Sequence, residues 1–309
     1  MIYFDYSSHK NIIDEHYLSL KTYLEEKIDG TTLNAQLKKF IEDNLESIIK
    51  EEPKNLKKIN DDFKALSKYK DSLKKKVSKI FNYDYFSKKA ENRYDAYDLA
   101  KKLNVRTCLY CNRNYCLTVM IGRRDQDKFT RPEFDHFFDK GDNPLLSLSI
   151  FNLIPSCKTC NSSLKGKKKF SLNSYVHPYL DNVINYYTYQ FVPHDVSSIL
   201  GGKSNLSLEI KIASGNITMD KKIKISKDLF RLEEIMSAHS EEIRDLFDIK
   251  HRFSERYFEE LFKTYNKLGL NHDDVYRVIF GVHYQEANFS NRPFSKLKKD
   301  ILIELGIIT

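Results

Sequence analysis

No run of 18 apolar residues occurs in this 309-residue chain, so no membrane-spanning helix is expected. The opening residues, Met1-Ile2-Tyr3-Phe4-Asp5, show neither a basic start nor an apolar stretch. They do not read as a secretory signal, and a cytoplasmic location is the expectation. No internal repeat and no low-complexity linker is visible. Cysteine is scarce and odd in number, at five. Four of the five form two C-x-x-C pairs, Cys108/Cys111 and Cys157/Cys160. In a reducing compartment that spacing points to metal ligation rather than disulfides. Cys116 is left over and reads as a small buried apolar residue.

What is present suits a folded protein. Hydrophobic residues make up 41% of the chain, enough for a sizeable core, and charged residues 30%. The length allows one large domain or two or three small ones. The net charge of +8 is unevenly placed: residues 101–175 hold 14 Lys and Arg against 6 Asp and Glu, and the remainder holds 37 of each sign. The positive excess thus falls on the segment that carries the cysteines. It is the footprint expected where a polyanion docks, and a solvated lysine surface explains the charge equally well.

The periodicity predicts an α+β, predominantly helical protein in three consecutive regions, 1–104, 105–180 and 181–309. In the first, Leu37, Phe40, Ile41, Leu45, Ile48 and Ile49 recur at helical spacing, and Pro53 breaks that helix. A charged helix is expected over Asp61–Phe81, and a short one over Tyr94–Leu103. In the second region, Cys116–Ile121 and Glu133–Phe138 are strand-like, with a polar loop, Gly122–Arg131, between them, so a hairpin is expected. A helix is expected from Asn161 to about Lys168. In the third region Leu206–Ile212 alternates as a half-buried strand, with Ile217–Ile225 as its hairpin partner across Gly215-Asn216. Phe230–Leu268 and Phe294–Leu305 read as helical. The stripe Phe258, Leu261, Phe262, Tyr265 and Leu268 reads as core.

Two C-x-x-C pairs can place four thiolates tetrahedrally around Zn²⁺. The stretch between them, Asn112–Ser156, is longer than the ~15–20 residues of a simple zinc ribbon. That length makes sense if the metal joins the ends of an inserted functional unit. The bland alternative is two unrelated turns with free thiols. Inside the insert lies Phe134-Asp135-His136-Phe137. Before the second pair comes Phe151-Asn152-Leu153-Ile154-Pro155-Ser156. After it come Asn161, Lys165 and the basic run Lys167-Lys168-Lys169. An Asp-His pair or an Asn-Leu pair alone is usually structural.

In this order, D-H followed by N-L-x-x-x-C-x-x-C-N-x-x-x-K, the residues resemble the HNH (ββα-metal) endonucleases. The similarity covers about 75 residues. It implies a small zinc-stapled ββα-metal module between helical flanks, hydrolysing phosphodiester bonds of nucleic acid, DNA rather than RNA, to leave 5′-phosphate and 3′-hydroxyl ends. It assigns His136 as general base, a role suited to an imidazole near neutral pH. Asp135 and Asn161 become ligands of a catalytic Mg²⁺ or Mn²⁺, a hard ion that prefers oxygen donors. Asn152 becomes the residue that bonds backbone and fixes the loop carrying the base. Cys108, Cys111, Cys157 and Cys160 become ligands of a structural Zn²⁺. Lys165, Lys167, Lys168 and Lys169 become phosphate contacts.

Adjacent strand residues point to opposite faces, so Asp135 and His136 reach one site only if the strand ends or bends there. His177 reads as a backbone-bonded histidine rather than an extra ligand. The context Cys108-Leu109-Tyr110-Cys111-Asn112-Arg113-Asn114-Tyr115 is similar to PtuB-like nucleases of Septu and retron anti-phage systems. That similarity implies a defence effector beside an ATPase partner subunit. A homo-oligomer is a further possibility carried by the neutral helical flanks. A different class of function fits the cysteines and lysines as well: a zinc-stapled nucleic-acid-binding module without catalysis.

Overall fold

The computed structural model describes residues 1–6, 9–66, 70–195 and 206–308. These are mixed α and β and mostly helical, with three two-stranded antiparallel sheets. They form two compact units. One comprises Asp5–Arg106 with Cys116–Asp181, the other Met1–Phe4, Thr107–Tyr115 and Asn182–Thr309. This differs from three consecutive regions. The reason is that the apolar stripes of the N-terminal helices need a partner, and residues 116–181 supply it.

In the first unit α1 (Lys10–Asp29) buries Ile12, His16, Leu20, Leu24 and Ile28, a stripe at intervals of four. Helix α2 (Ala35–Lys50) starts at Asn34, whose side chain accepts from the Leu37 N–H, and buries Leu37, Ile41, Leu45, Ile48 and Ile49. Pro53 opens α3 (Pro53–Ala65) at its first turn, where a missing N–H costs nothing. Asp61 therefore falls inside α3, and a separate α4 runs Asp71–Ile80. The single helix expected over Asp61–Phe81 is thus two, and residues 67–69 lie outside the described ones. Helix α5 spans Tyr83–Ser87 and α6 spans Ala96–Leu103.

Asp95 caps α6 through the N–H groups of Tyr97 and Asp98, and Asp98 returns a bond to Asp95 N–H. Asp95 also meets the ammonium of Lys128 at 2.6 Å, with both side chains fully buried. This pair ties the hairpin of β1 (Val119–Met120) and β2 (Lys128–Thr130) to the helix cap. The β2 strand lies inside the segment expected to be a loop. Consequently β3 (Glu133–His136) pairs not with Cys116–Ile121 but with β4 (Leu153–Ser156), in the register Glu133↔Ser156 to His136↔Leu153. The β3 and β4 residues are nearly all buried, and a strand of that kind seeks an apolar neighbour, which Leu153-Ile154-Pro155 provides. Pro155 is tolerated because a two-stranded sheet has only edges.

In the second unit β5 (Tyr187–Val192) pairs with β6 (Ser207–Ile212) over six residue pairs. The expected partner of β6 is instead α7 (Ile217–Leu229). Gly215 takes a positive φ of 71°, and Asn216 caps the helix by accepting from Thr218 and Met219 N–H. The helical stretch expected from Phe230 divides into α8 (Leu232–Ser237), α9 (Ser240–Arg252) and α10 (Glu255–Lys267). Two further helices, α11 (His272–Phe280) and α12 (Ser295–Glu304), complete the unit. The outer N–H groups of β6 are met by side chains of α8: Glu233 accepts from Ile210 and Ser237 from Leu208. The stripe on α10 is not core as expected. Phe258 is buried, Leu261, Phe262 and Tyr265 are half-buried, and Leu268 is 72% exposed.

The Lys128–Asp95 pair sets a prediction. Removing one partner leaves an uncompensated buried charge, which costs about 3–5 kcal/mol. Lys128→Met is expected to lower the urea-unfolding free energy by that amount. A loss under about 1 kcal/mol would show that the pair does not anchor the hairpin.

Candidate active site and metal centre

Strand β3 carries the Asp-His pair at its end. Glu133 and Asp135 share one face by strand alternation, and the strand stops at His136. That stop lets Asp135 and His136 line the same cavity, of about 370 Å³. Its walls also include Tyr83, Arg131, Glu133, Asp139, Lys140, Asn161, Ser162 and Lys165.

Asn161 and Lys165 come from a seven-residue π-helical turn, Thr159–Lys165. The turn ends at Gly166, whose φ of 52° disfavours a side chain and whose N–H donates to the Asn161 carbonyl. The helix expected over Asn161–Lys168 is therefore shorter and wider than an α-helix. Asn161 Nδ2 donates to Glu133 Oε2 at 2.9 Å, and Ser162 Oγ donates to the same oxygen at 2.9 Å.

His136 Nε2 lies 3.0 Å from the Ser147 carbonyl. A carbonyl can only accept, so Nε2 carries the proton and Nδ1 the lone pair. No described residue hydrogen-bonds Nδ1. The ring stands edge-on to Tyr83 at 4.3 Å. Burial drives the pKa of His136 down to about 3 against the Ser147 bond, with Lys140 and Lys165 adding to the fall. The imidazole is therefore neutral at pH 7.

Asn152 is fully buried and clasps the peptide ahead of the loop. Its Oδ1 accepts from Phe138 N–H at 2.7 Å, and its Nδ2 donates to the Phe138 and Leu146 carbonyls at 3.1 and 2.9 Å. Its side-chain hydrogen bonds go to backbone groups, and it does not line the cavity.

Lys165 differs most from its expected place. It is 4% exposed and buried against Asp135 Oδ1 at 2.6 Å, with its ammonium also on the His136 carbonyl and 4.5 Å from the Phe170 ring centroid. It is an internal partner of Asp135 and part of the cavity wall. Lys167, Lys168 and Lys169 are exposed and outside the cavity lining, and Lys169 pairs with Asp142. His177 is buried, with Nδ1 accepting from Tyr179 N–H at 3.2 Å and the ring 4.3 Å from that of Phe137. It lies outside the cavity lining.

Two carboxylates, Glu133 and Asp135, and the amide oxygen of Asn161 are the oxygen donors a hard divalent cation takes. The set fits such an ion in kind, although Lys165 already places one positive charge on Asp135. Glu133 was missed in the sequence, yet its position two residues before Asp135 was the signal. Tyr83, Arg131 and Lys140 had none.

The sulfur atoms of Cys108, Cys111, Cys157 and Cys160 all lie within 4.8 Å of one another, and all four residues are buried. These four could hold a metal ion, and thiolates so close are compatible with zinc, which at ~2.3 Å bonds sets sulfurs about 3.8 Å apart. Cys116 is buried. Among the described helices none is long and apolar enough to cross a membrane. Comparison of the chain with family models, with curated proteins and with solved structures finds no match.

A further buried histidine borders the loop. His16 on α1 lies 2.8 Å from the Leu148 carbonyl through Nε2 and 3.0 Å from Tyr94 OH through Nδ1. Burial lowers its pKa from 6.5 to about 4, with the Leu148 bond opposing. The unfolded chain therefore binds more protons than the folded one between those values. The stability His16 contributes is complete above pH 6.5 and is lost as pH falls toward 4, at about 1.4 kcal/mol per pH unit. Urea unfolding at pH 7 and pH 5 should show about 2 kcal/mol of pH-dependent loss that His16→Gln lacks. An equal loss in the variant would contradict the assignment.

The thiolate cluster gives a second prediction. Protein purified without added metal should carry roughly one zinc per chain, because four thiolates fill a closed tetrahedral site. Cys160→Ser should lower Tm by about 10 °C, as structural zinc binding is folding free energy. Elemental analysis and a thermal melt decide it, and absent zinc with an unmoved Tm would refute it.

Proposed function

We propose that this protein is a metal-dependent endonuclease of the ββα-metal (HNH) kind, hydrolysing phosphodiester bonds of nucleic acid, DNA in preference to RNA. One observation carries the reading. Asp135, His136 and Asn161, expected from sequence order to act together, line one cavity, with the His136 ring tied through Nε2 to Ser147.

On this reading β3, β4 and the π-helical turn form the ββα core. His136 is neutral, and its Nδ1 lone pair accepts the proton of the attacking water. A phosphodiester anion bound beside it raises the imidazole pKa toward neutrality, which strengthens the base. Arg131 and Lys140 line the cavity and offer positive charge to that anion. Asp135 and Asn161 would hold Mg²⁺ or Mn²⁺. When bound, such an ion offsets charge on the phosphate and the leaving oxygen. Asn152 keeps the loop closed so that the Ser147 carbonyl stays against the base. Zinc on the four cysteines would be structural. The likeness to PtuB-like nucleases extends the reading to an anti-phage effector beside an ATPase subunit, by analogy alone.

The test is plasmid nicking by zinc-loaded protein with Mg²⁺, Mn²⁺ or EDTA. Metal-dependent cutting is expected, falling about 10²–10⁴-fold in His136→Ala, since general-base catalysis contributes that much. Asp135→Ala and Asn161→Ala should likewise lose cutting while keeping zinc. Nucleic acid bound by the wild type but left uncut, with or without the ATPase subunit, would favour the non-catalytic binding module. Cutting undiminished in His136→Ala would reject the site.

A further inference from the structure

The loop between β3 and β4 turns back on itself in a buried 3₁₀ segment, Pro144–Leu146. Three consecutive carbonyls there each meet a side-chain donor. Leu146 accepts from Asn152 Nδ2 at 2.9 Å, Ser147 from His136 Nε2 at 3.0 Å, and Leu148 from His16 Nε2 at 2.8 Å. The next residue, Ser149, donates through Oγ to the Ile48 carbonyl on α2. His16 is itself aimed by Tyr94, whose hydroxyl is the donor to Nδ1 once Nε2 carries the proton. Its ring also stands edge-on to Phe86 at 5.8 Å.

We propose that His16 is a positioning residue for His136. It acts through the Ser147-Leu148 peptide: by holding the Leu148 carbonyl it fixes the orientation of the preceding carbonyl, the one that sets the proton and the rotation of the His136 ring. Two observations separate this from ordinary core filling. His16 occupies an i, i+4 apolar stripe where a leucine would pack, so its nitrogens rather than its volume distinguish it. Both nitrogens are bonded, and the donor side points to the peptide that adjoins the acceptor of His136. The N-terminal helices thereby take part in building the cavity that β3 lines. The catalytic meaning of this coupling rests on the nuclease reading. The hydrogen-bond coupling itself does not.

Two near-isosteric variants divide the functions of the ring. His16→Gln places an amide N–H where Nε2 was and keeps the Leu148 bond. His16→Asn places its amide where Nδ1 was, keeps the Tyr94 bond and leaves Leu148 without a donor. A role in packing alone would treat the two alike. The readout is the ¹⁵N tautomer signature of His136 in zinc-loaded, histidine-labelled protein, assigned by its loss in His136→Gln. Wild type and His16→Gln should show Nε2–H, and His16→Asn a mixture of tautomers. In the nicking assay kcat should fall about 10–100-fold in His16→Asn, as expected for a misplaced catalytic group, with KM for the nucleic acid unchanged, and recover in His16→Gln.

An unaltered His136 signature in folded His16→Asn overturns the proposal whether or not the protein cuts DNA. A shifted signature without any cutting in wild type upholds the coupling and counts against the nuclease reading. Should His16→Asn fail to fold, Tyr94→Phe decides. It leaves His16 in place but loosens its ring, so exchange broadening of the His136 resonance is expected, and a sharp, unmoved one refutes the coupling.

Discussion

A buried backbone carbonyl must find a donor, and the loop that joins β3 to β4 is buried for most of its length. Loops usually run over the surface to avoid this demand. Here the demand is met by side chains, and meeting it is what shapes the site. Asn152 clasps Phe138 from both sides and the Phe137 N–H returns to the Asn152 carbonyl at 3.1 Å, so the two ends of the loop are bound to each other. Within the closed loop the Ser147 and Leu148 carbonyls are served by two imidazoles, and the Leu146 carbonyl takes the Asn152 amide beside the Ser149 N–H. The ring of His136 is thus oriented by the same bond that satisfies the loop. A neutral histidine is one of few side chains that can donate to a buried carbonyl and still present a lone pair elsewhere.

The electrostatics follow from burial. For His136 desolvation outweighs the hydrogen bond to Ser147, and the neighbouring Lys140 and Lys165 push in the same direction as desolvation. The ring stays neutral. Asp135 is as deeply buried and stays compatible with its surroundings because an ammonium lies 2.6 Å away. The same logic holds for Asp95 and Lys128. Part of the positive excess on residues 101–175 is therefore internal. Lys128 and Lys165 neutralise buried carboxylates, while Arg124, Lys140 and Lys169 face Asp127, Asp84 and Asp142. Charge counted along the chain therefore overstates the positive charge that is free at the surface.

Much of this was legible in the sequence, where the signal was local. The helical stripe of α2 followed from spacing, and the spacing of the cysteine pairs announced a cluster that could hold a metal ion. The strand over Glu133–His136 was readable too, and the backbone-binding behaviour of Asn152 was implied by the resemblance. Pairing was not. The partner of β3 lies some twenty residues on, behind a buried loop, whereas the nearer strand-like segment is held by β2 and the Lys128–Asp95 pair. Residues 217–225 have an apolar pattern that suits either state, and the cap at Asn216 with Gly215 before it settles them as helix. His16 had a faint signal, a polar residue on an apolar stripe, whose meaning lay in a carbonyl 132 positions away. Lys165 was read from the resemblance as a phosphate contact, with no sign of a partner inside the chain. The wider π-helical turn puts it inside instead.

The position of Lys165 bears on how a cation site on β3 can be preformed. Two carboxylates on one strand face, Glu133 and Asp135, repel each other, and burial magnifies the repulsion. Amide and hydroxyl donors quiet Glu133, and Lys165 quiets Asp135, so the strand folds with its acidic face satisfied by the chain alone. On the nuclease reading a divalent ion would add to an assembled wall rather than assemble it. The ammonium, also in reach of the His136 carbonyl and the Phe170 ring, has acceptors to lean on if the ion draws Asp135 toward itself. On the nuclease reading, folding and metal binding would be separate events at β3, whereas at the thiolate tetrad, which has no such internal cation, binding of an ion would be coupled to folding.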